Sequence, residues 1–341
     1  MKKIIIIALS ILLLTGCANY TELNQLGIVD ILAIEKVEEN YVVTMHLLKT
    51  DKKSETTSQI ITSHGETLND ALENLYLKTD KKIFLAHINT LLLNEEMLSI
   101  DLKPLLNYFL KSNESRSTFT PILLKNIKAA DILKIIEDES LNDYLEMNRK
   151  ELGFSFPLTF EEFARTYLSN TLSNIIPAIK VEEDMIEIDS YGYFKDKKFK
   201  GYLTKEEAMT YNLLKNKNSP VKFQINCNNN STTIKIQELL TTTSSKEKNI
   251  SYHITGTYQV LNNTCQKNDE DILNFIKGEI KESIEDLVKK EKEEQTDFLG
   301  LTNHIYQHNY PFYEKNKDNL LQTITTDVTL DITREKRDSF D

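Results

Sequence analysis

The first seventeen residues decide how much of this chain is available to fold. Lys2 and Lys3 form a short positive head, and Ile4 to Leu14 follows as an apolar run interrupted only by Ser10. As a helix that run would rise about 16 Å, roughly half the hydrocarbon thickness of a bilayer, so it is too short to span. Its proportions are those of the hydrophobic region of a signal peptide, which the mature protein loses. The fold has to be built from what comes after it.

The run closes with Leu14-Thr15-Gly16-Cys17, which resembles the bacterial lipobox: a branched apolar residue, two small ones and a cysteine. Small residues fit a peptidase pocket beside the cut. The Cys17 thiolate is the one nucleophile there able to take a diacylglyceryl group. The expectation is a signal peptide over residues 1–16, with diacylglycerol on the Cys17 sulfur and an acyl group on its new amino terminus. An ordinary signal peptide with a chance cysteine, or an uncleaved anchor, is the alternative. Two or three acyl chains, at about 0.8 kcal/mol per buried methylene, make such an attachment effectively permanent.

Charge supports the need for that anchor. Lys and Arg number 41 against 52 Asp and Glu, a formal −11; losing Lys2 and Lys3 with the leader takes the mature chain to −13. Nucleic-acid phosphates and anionic bilayers are both repelled by such a surface unless a local basic patch intervenes, so nucleic acid is a poor partner. No second apolar run near 18 residues follows Cys17, which makes the body an expected soluble ectodomain. At 341 residues the chain can hold more than one core. Cys227 and Cys265, 38 residues apart, permit one disulfide in an exported chain; two buried thiols are the other reading.

The pattern predicts an α+β fold with mixed or antiparallel sheets packed by helices. Strands are expected over Gly27 to Ile34, Tyr41 to Leu48, His87 to Leu93 and Ser117 to Leu124. Helices are expected over Glu66 to Leu77 and over Leu102 to Leu110, the latter capped by Asp101. Helical pattern then dominates from Ala129 to Asn170. Thr159 with Glu162, and Thr204 with Glu207, fit capping boxes. Met185 to Phe194 and Lys198 to Leu203 read as a hairpin turning at Asp196-Lys197. In the tail, three antiparallel strands (Val221 to Cys227, Thr232 to Glu238, Ile250 to Leu261) precede one long helix, Asp269 to Glu294. That helix should carry the pairs Glu285–Lys289 and Asp286–Lys290. A last strand is expected over Thr323 to Thr333, and Thr241 to Asn249 reads as a mobile loop. The division expected is 17–190, with subdomains of about 17–125 and 126–190, followed by 191–341.

Motifs for catalysis are missing: no phosphate loop, dinucleotide fingerprint, nucleophile elbow, zinc-protease helix or Cys-x-x-Cys. His304 and His308 are spaced to share a helix face, as a metal pair would need, but no third ligand stands beside them; packing or surface histidines are the better reading. His87, at a strand entrance, reads as structural. No catalytic residue, metal or cofactor is therefore expected.

Read in order, the landmarks resemble the Ger(x)C family of spore germination lipoproteins. They are Cys17, Tyr20-Thr21-Glu22-Leu23-Asn24, the strand pair from Ile28 and Tyr41, and Lys82-Ile83-Phe84-Leu85-Ala86-His87 leading into Leu91-Leu92-Leu93. Leu105 to Leu110 and Arg116, Tyr191 to Lys198 with Gly201-Tyr202-Leu203, Asp297-Phe298-Leu299-Gly300 and Tyr306 to Pro311 continue the series. The family's tryptophans are replaced here, Tyr20 and Phe312-Tyr313 standing at their places. The resemblance implies a lipid-anchored C subunit of a nutrient germinant receptor, partnered by integral-membrane A and B subunits. It implies a place on the outer face of the spore inner membrane and no known catalytic residue or direct small-molecule ligand. A solute-binding lipoprotein of a transporter and a lipid-anchored cell-wall enzyme are the competing readings.

Overall fold

A computed structural model describes residues 25–50, 56–111, 116–136, 141, 158–169, 171–183, 185–216 and 220–335. Cys17, the segment from Tyr20 to Asn24 and most of the helical pattern expected between 137 and 157 lie outside the described residues.

The fold is α+β, carried by two sheets. The larger uses β1 (Leu26–Val37), β2 (Asn40–Thr50), β3 (Thr56–Gly65), β4 (Lys82–Phe84), β5 (Thr90–Asn94), β6 (Thr120–Leu124), β7 (Ile175–Glu182), β8 (Met185–Lys195) and β9 (Lys198–Leu203). Their order is β3-β2-β1-β5-β6-β7-β8-β9, with β4 pairing β1 alone. β1 lies inside this sheet, which explains its composition. Ile31, Leu32, Ala33 and Ile34 are all buried, a continuous apolar run of the kind that a strand covered on both faces requires. Ala33 stands opposite Thr44 of antiparallel β2 and opposite Leu92 of parallel β5. The pairs β1–β5, β5–β6 and β6–β7 are parallel, so each needs a crossover. Helices α1 (Leu68–Tyr76), α2 (Glu95–Leu98), α3 (Lys103–Lys111), α4 (Ala129–Ile136) and α5 (Phe160–Leu168) lie in those connections.

Capping starts several of these helices. Thr159 Oγ1 accepts the Glu162 N–H at 3.1 Å while Glu162 Oε2 accepts the Thr159 N–H at 3.0 Å. Thr204 and Glu207 repeat the exchange at 3.3 and 2.8 Å at the start of α6 (Lys205–Leu214), and Asp101 accepts the Lys103 N–H at 3.1 Å. Each such cap contributes about 1 kcal/mol.

The smaller sheet has the order β10-β11-β12-β13, with β10 (Val221–Cys227), β11 (Asn230–Lys246), β12 (Asn249–Asn263) and β13 (Thr325–Arg334). The first three are antiparallel. β13 instead runs parallel to β12, because the chain returns to it through α7 (Asp269–Glu294), α8 (Leu301–His308), α9 (Tyr310–Asn316) and α10 (Leu320–Thr323). Cys227 and Cys265 lie within disulfide reach of each other, their Cα atoms 6.0 Å apart.

Two expectations need correction. The stretch Thr241 to Asn249 is no loop: β11 runs through it to Lys246 and turns at Glu247-Lys248. β-branched threonines suit a pleated surface, and Thr241 is buried and held by Asn216, whose side chain exchanges bonds of 2.6 and 2.7 Å with its backbone. β8 and β9 both complete the large sheet, which the chain leaves after Leu203, and β5, β6 and β7 are hydrogen-bonded in series within it. On α7, Lys289 faces Glu293 at 3.9 Å and Lys290 reaches across to Glu207 of α6 at 2.6 Å.

α7 itself follows its sequence stripe. Ile272, Ile276, Ile280, Ile284, Leu287 and Val288 are buried at spacings of three and four. Asn268 caps its start, accepting the Asp271 N–H at 2.8 Å, and its first turn is acidic (Asp269, Glu270, Asp271), as the helix dipole favours. Ile284 is wholly enclosed in the middle of the stripe. Ile284→Ala should cost about 3 kcal/mol, read as a lower urea midpoint with an unchanged m value. A loss below about 1 kcal/mol would show that α7 is not seated as described.

Candidate functional site

The residue singled out for modification, Cys17, lies outside the described residues, but the place where its chain joins the fold is well defined. β1 begins at Leu26, and there β4 runs beside it: Leu26 faces Lys82, Gly27 faces Ile83 and Ile28 faces Phe84. Lys82 to Phe84 thus pins the start of β1. His87 ends a short 3-10 turn with its ring 5.5 Å from that of Phe84, a packing contact.

A second constellation sits where the two sheets meet, and it is built on the step Asp297-Phe298-Leu299-Gly300. Glu291 continues the buried stripe of α7 and is completely enclosed. Its Oε1 accepts the Leu299 N–H at 2.8 Å. The ammonium of Lys215, just past the end of α6, donates to the Leu299 carbonyl. One buried peptide residue is therefore held at both its polar ends by ionisable side chains from two helices. Asp297 caps α8, accepting the N–H groups of Leu301 and Thr302 at 2.6 and 2.9 Å. Gly300 links the two at φ +70°, in the left-handed region, where a Cβ would also press on Leu172 at 3.0 Å. Burial first, then the neighbouring Asp297 carboxylate, raises the Glu291 pKa well above its usual range, against the Leu299 N–H and Lys215. Burial lowers that of Lys215.

Beside this joint opens a cleft of about 590 Å³. Its walls include Ser169, Thr171, Ser173, Asp196, Lys197 and Tyr313. The lining is rich in hydroxyls and mixed in charge, and Thr171 already donates to Asn303 at 2.7 Å. His304 and His308 do share a helix face: their rings stack with centroids 4.2 Å apart, and His308 Nδ1 donates to the His304 carbonyl at 2.8 Å. Among the described residues no group of three or more His, Cys, Asp or Glu side chains could hold a metal ion.

Residues 19–181 match the "Spore germination protein N-terminal domain", and residues 189–336 match "Spore germination B3/ GerAC like, C-terminal". The chain belongs to the Ger(x)C family. Its residues 1–18 also match the prokaryotic membrane lipoprotein lipid attachment site, and among the described residues no helix is long and apolar enough to cross a membrane. Spore germination protein KC of Bacillus subtilis (strain 168) is 20% identical over 384 residues, spanning 97% of this chain and 93% of its own. Spore germination protein B3 of the same organism is 25% identical over 226 residues, 61% of this chain and 60% of its own. The crystal structure of the GerBC protein aligns with a TM-score of 0.57 at 19% identity, covering 89% of this chain and 96% of that one, a likeness of fold. Within this Ger(x)C chain the motif segments have separate mechanical tasks. Lys82–Phe84 pins β1, Tyr191–Leu203 closes the large sheet, and Asp297–Gly300 makes the joint.

The joint carries a pH signature. The pKa of Glu291 is raised in the folded state. Its stabilising contribution is therefore complete below the unfolded value of about 4.3 and is lost as pH climbs through the folded one. Glu291→Gln keeps an acceptor for the Leu299 N–H and cannot ionise. As pH rises above that unfolded value the wild type should lose stability that the Gln variant retains, measured by urea unfolding. Equal slopes would overturn this account of the joint.

Proposed function

We propose that this chain is the lipid-anchored C subunit of a spore germinant receptor. It would act through protein contacts with integral-membrane A and B subunits at the outer face of the spore inner membrane. The observation that carries this reading is the joint match of the lipid attachment site and of both germination-protein domains, end to end along the chain. The relatives' names, spore germination proteins KC and B3, point the same way. An acyl tether confines the ectodomain to a thin layer beside its membrane partners, so contacts of modest affinity suffice. Catalysis is not part of the reading. Glu291, Lys215 and Asp297, which a carboxylate-based enzyme would aim at a substrate, are occupied in holding backbone. A solute-binding lipoprotein would show two alternating α/β lobes about a hinge; the long antiparallel β10–β12 sheet under one helix favours the receptor subunit.

Acylation of Cys17 is tested by mass spectrometry of the membrane-extracted protein. Cys17→Ala should abolish the acyl mass and reduce germination while leaving the circular dichroism of the ectodomain unchanged. Normal germination with that variant, or an unacylated mature chain, would remove the basis of the proposal.

We also propose that the Cys227–Cys265 bond is closed in the exported protein, as its compartment would allow. Cross-linking positions 38 residues apart is worth about 4 kcal/mol through the unfolded chain. Cys265→Ser should lower unfolding free energy by about that amount, and two titratable thiols in the unfolded wild type without reductant would contradict it.

A further inference from the structure

We propose that the end of the large sheet where the tether enters is a membrane-contact face that takes the headgroups of an anionic bilayer. This rests on the lipid-anchor reading and adds an orientation to it.

Distance comes first. From Cys17 to Leu26 the chain can extend at most about 32 Å, so Leu26 is held within that reach of the lipid. At the level of Leu26 stand Lys82 of β4 and, opposite Gly27, Lys49 of β2. Because β5 and β6 run parallel to β1, the connections entering them lie toward this same end. Helices α1 and α3 end there side by side, the hydroxyls of Tyr76 and Tyr108 3.3 Å apart.

These helix ends expose what a bilayer surface accepts. Leu77 is 84% exposed, far more than an apolar side chain gains from water, and Leu110 and Tyr76 are 44% and 38% exposed. Lys82, Lys111 and Arg116 are exposed around them. Leucine seats at the acyl boundary, tyrosine sits at headgroup level, and lysine and arginine extend their charge to phosphate.

The opposite end of the same strands has the opposite character. Glu38 and Glu39 occupy the β1–β2 turn, Glu95 and Glu96 follow β5, and Glu182 and Glu183 close β7. Asp80 pairs with Lys49 at the tether end, and Lys36 and Lys180 bond Glu39 and Glu182 at the far one, so the ends differ in balance, with lysine and arginine in excess near the tether and carboxylates in excess at the far turns. An anionic surface attracts the tether end and repels the far one, which orients the ectodomain as well as holding it.

The test uses the acylated full-length protein in vesicles of phosphatidylcholine and phosphatidylglycerol in equal parts. With Cys17 acylated and the proposed Cys227–Cys265 bond closed, an added cysteine is the one reactive thiol. An environment-sensitive fluorophore is attached through Leu77→Cys or, at the far turn, through Glu39→Cys. The probe at 77 should be blue-shifted and quenched by spin-labelled phospholipid at least about twofold more than the probe at 39. That difference should shrink in phosphatidylcholine alone or with Lys82→Glu and Lys111→Glu together. Vesicle-bound protein with equal quenching at both positions overturns the proposal, and quenching indifferent to lipid charge overturns the headgroup assignment. Flotation, measured on the same samples, separates these outcomes from a failure of the tether, in which the protein would not float with vesicles at all.

Discussion

The loop that follows α7 is locked through the backbone of one residue, Leu299. Its N–H is taken by Glu291 from α7 and its carbonyl by Lys215 from the end of α6. Placing two ionisable groups in an enclosed seam is costly, and it is tolerated only when each finds a partner that cannot be replaced by water. Here the partners are peptide groups rather than each other, which makes the arrangement directional: the loop after α7 can be seated in one way. Loss of either side chain would leave a buried peptide group of Leu299, its N–H or its carbonyl, with an unmet demand, the expensive outcome for a polar group in a core. The left-handed glycine and the Asp297 cap then fix the direction in which α8 departs. Everything from α8 to β13 inherits its position from that step.

Rigidity at this seam bears on the proposed role as a tethered receptor subunit. A domain that signals by touching neighbours has to present its surfaces at fixed angles, and a hinge between two sheets would defeat that. The bonds spanning the seam are numerous for a hinge: Lys290 reaches Glu207 at 2.6 Å and the Tyr202 carbonyl at 3.1 Å, and Lys195 reaches the Glu294 carbonyl at 3.0 Å. The buried apolar cluster also runs from β1 to α7 without a break. Such a body moves as one piece at the end of its tether.

Much of this was legible before any coordinates. The capping boxes at Thr159 and Thr204, the hairpin turning at Asp196-Lys197 and α7 from Asp269 to Glu294 follow directly from local pattern, because each is decided by residues within a turn or two of one another. β3 was missed: its Thr, Ser and Gln content lacks an apolar face, and an edge strand with β2 on one side needs less of one. Thr241 to Lys246 was misread for a related reason, its hydroxyls suggesting a loop where a partner strand and Asn216 impose an extended chain. The joint was hidden differently. Glu291 sits in the run Lys289 to Glu294, which reads as a solvated helix face. The signal was its spacing, three residues beyond Val288 and four beyond Leu287, on the continuation of the buried stripe.

Net charge concealed the most. A sum of −11 implies a chain that anionic lipid repels as a whole, yet repulsion is a matter of which groups lie within a Debye length of the surface. Lys82 and Arg116 are 34 residues apart in sequence and belong to different connections; only the parallel run of β1, β5 and β6 gathers them at one end, while the glutamates of the turns after those strands collect at the other. A uniformly acidic body on a flexible leash would sample every orientation. On the orientation proposed, one with its cations, Leu77 and Tyr76 gathered near the tether would be turned the same way each time it met the bilayer. Affinity would then come from the acyl chains and orientation from the protein surface. That separation would allow the remainder of the ectodomain to stay acidic without losing its register with neighbours in the membrane.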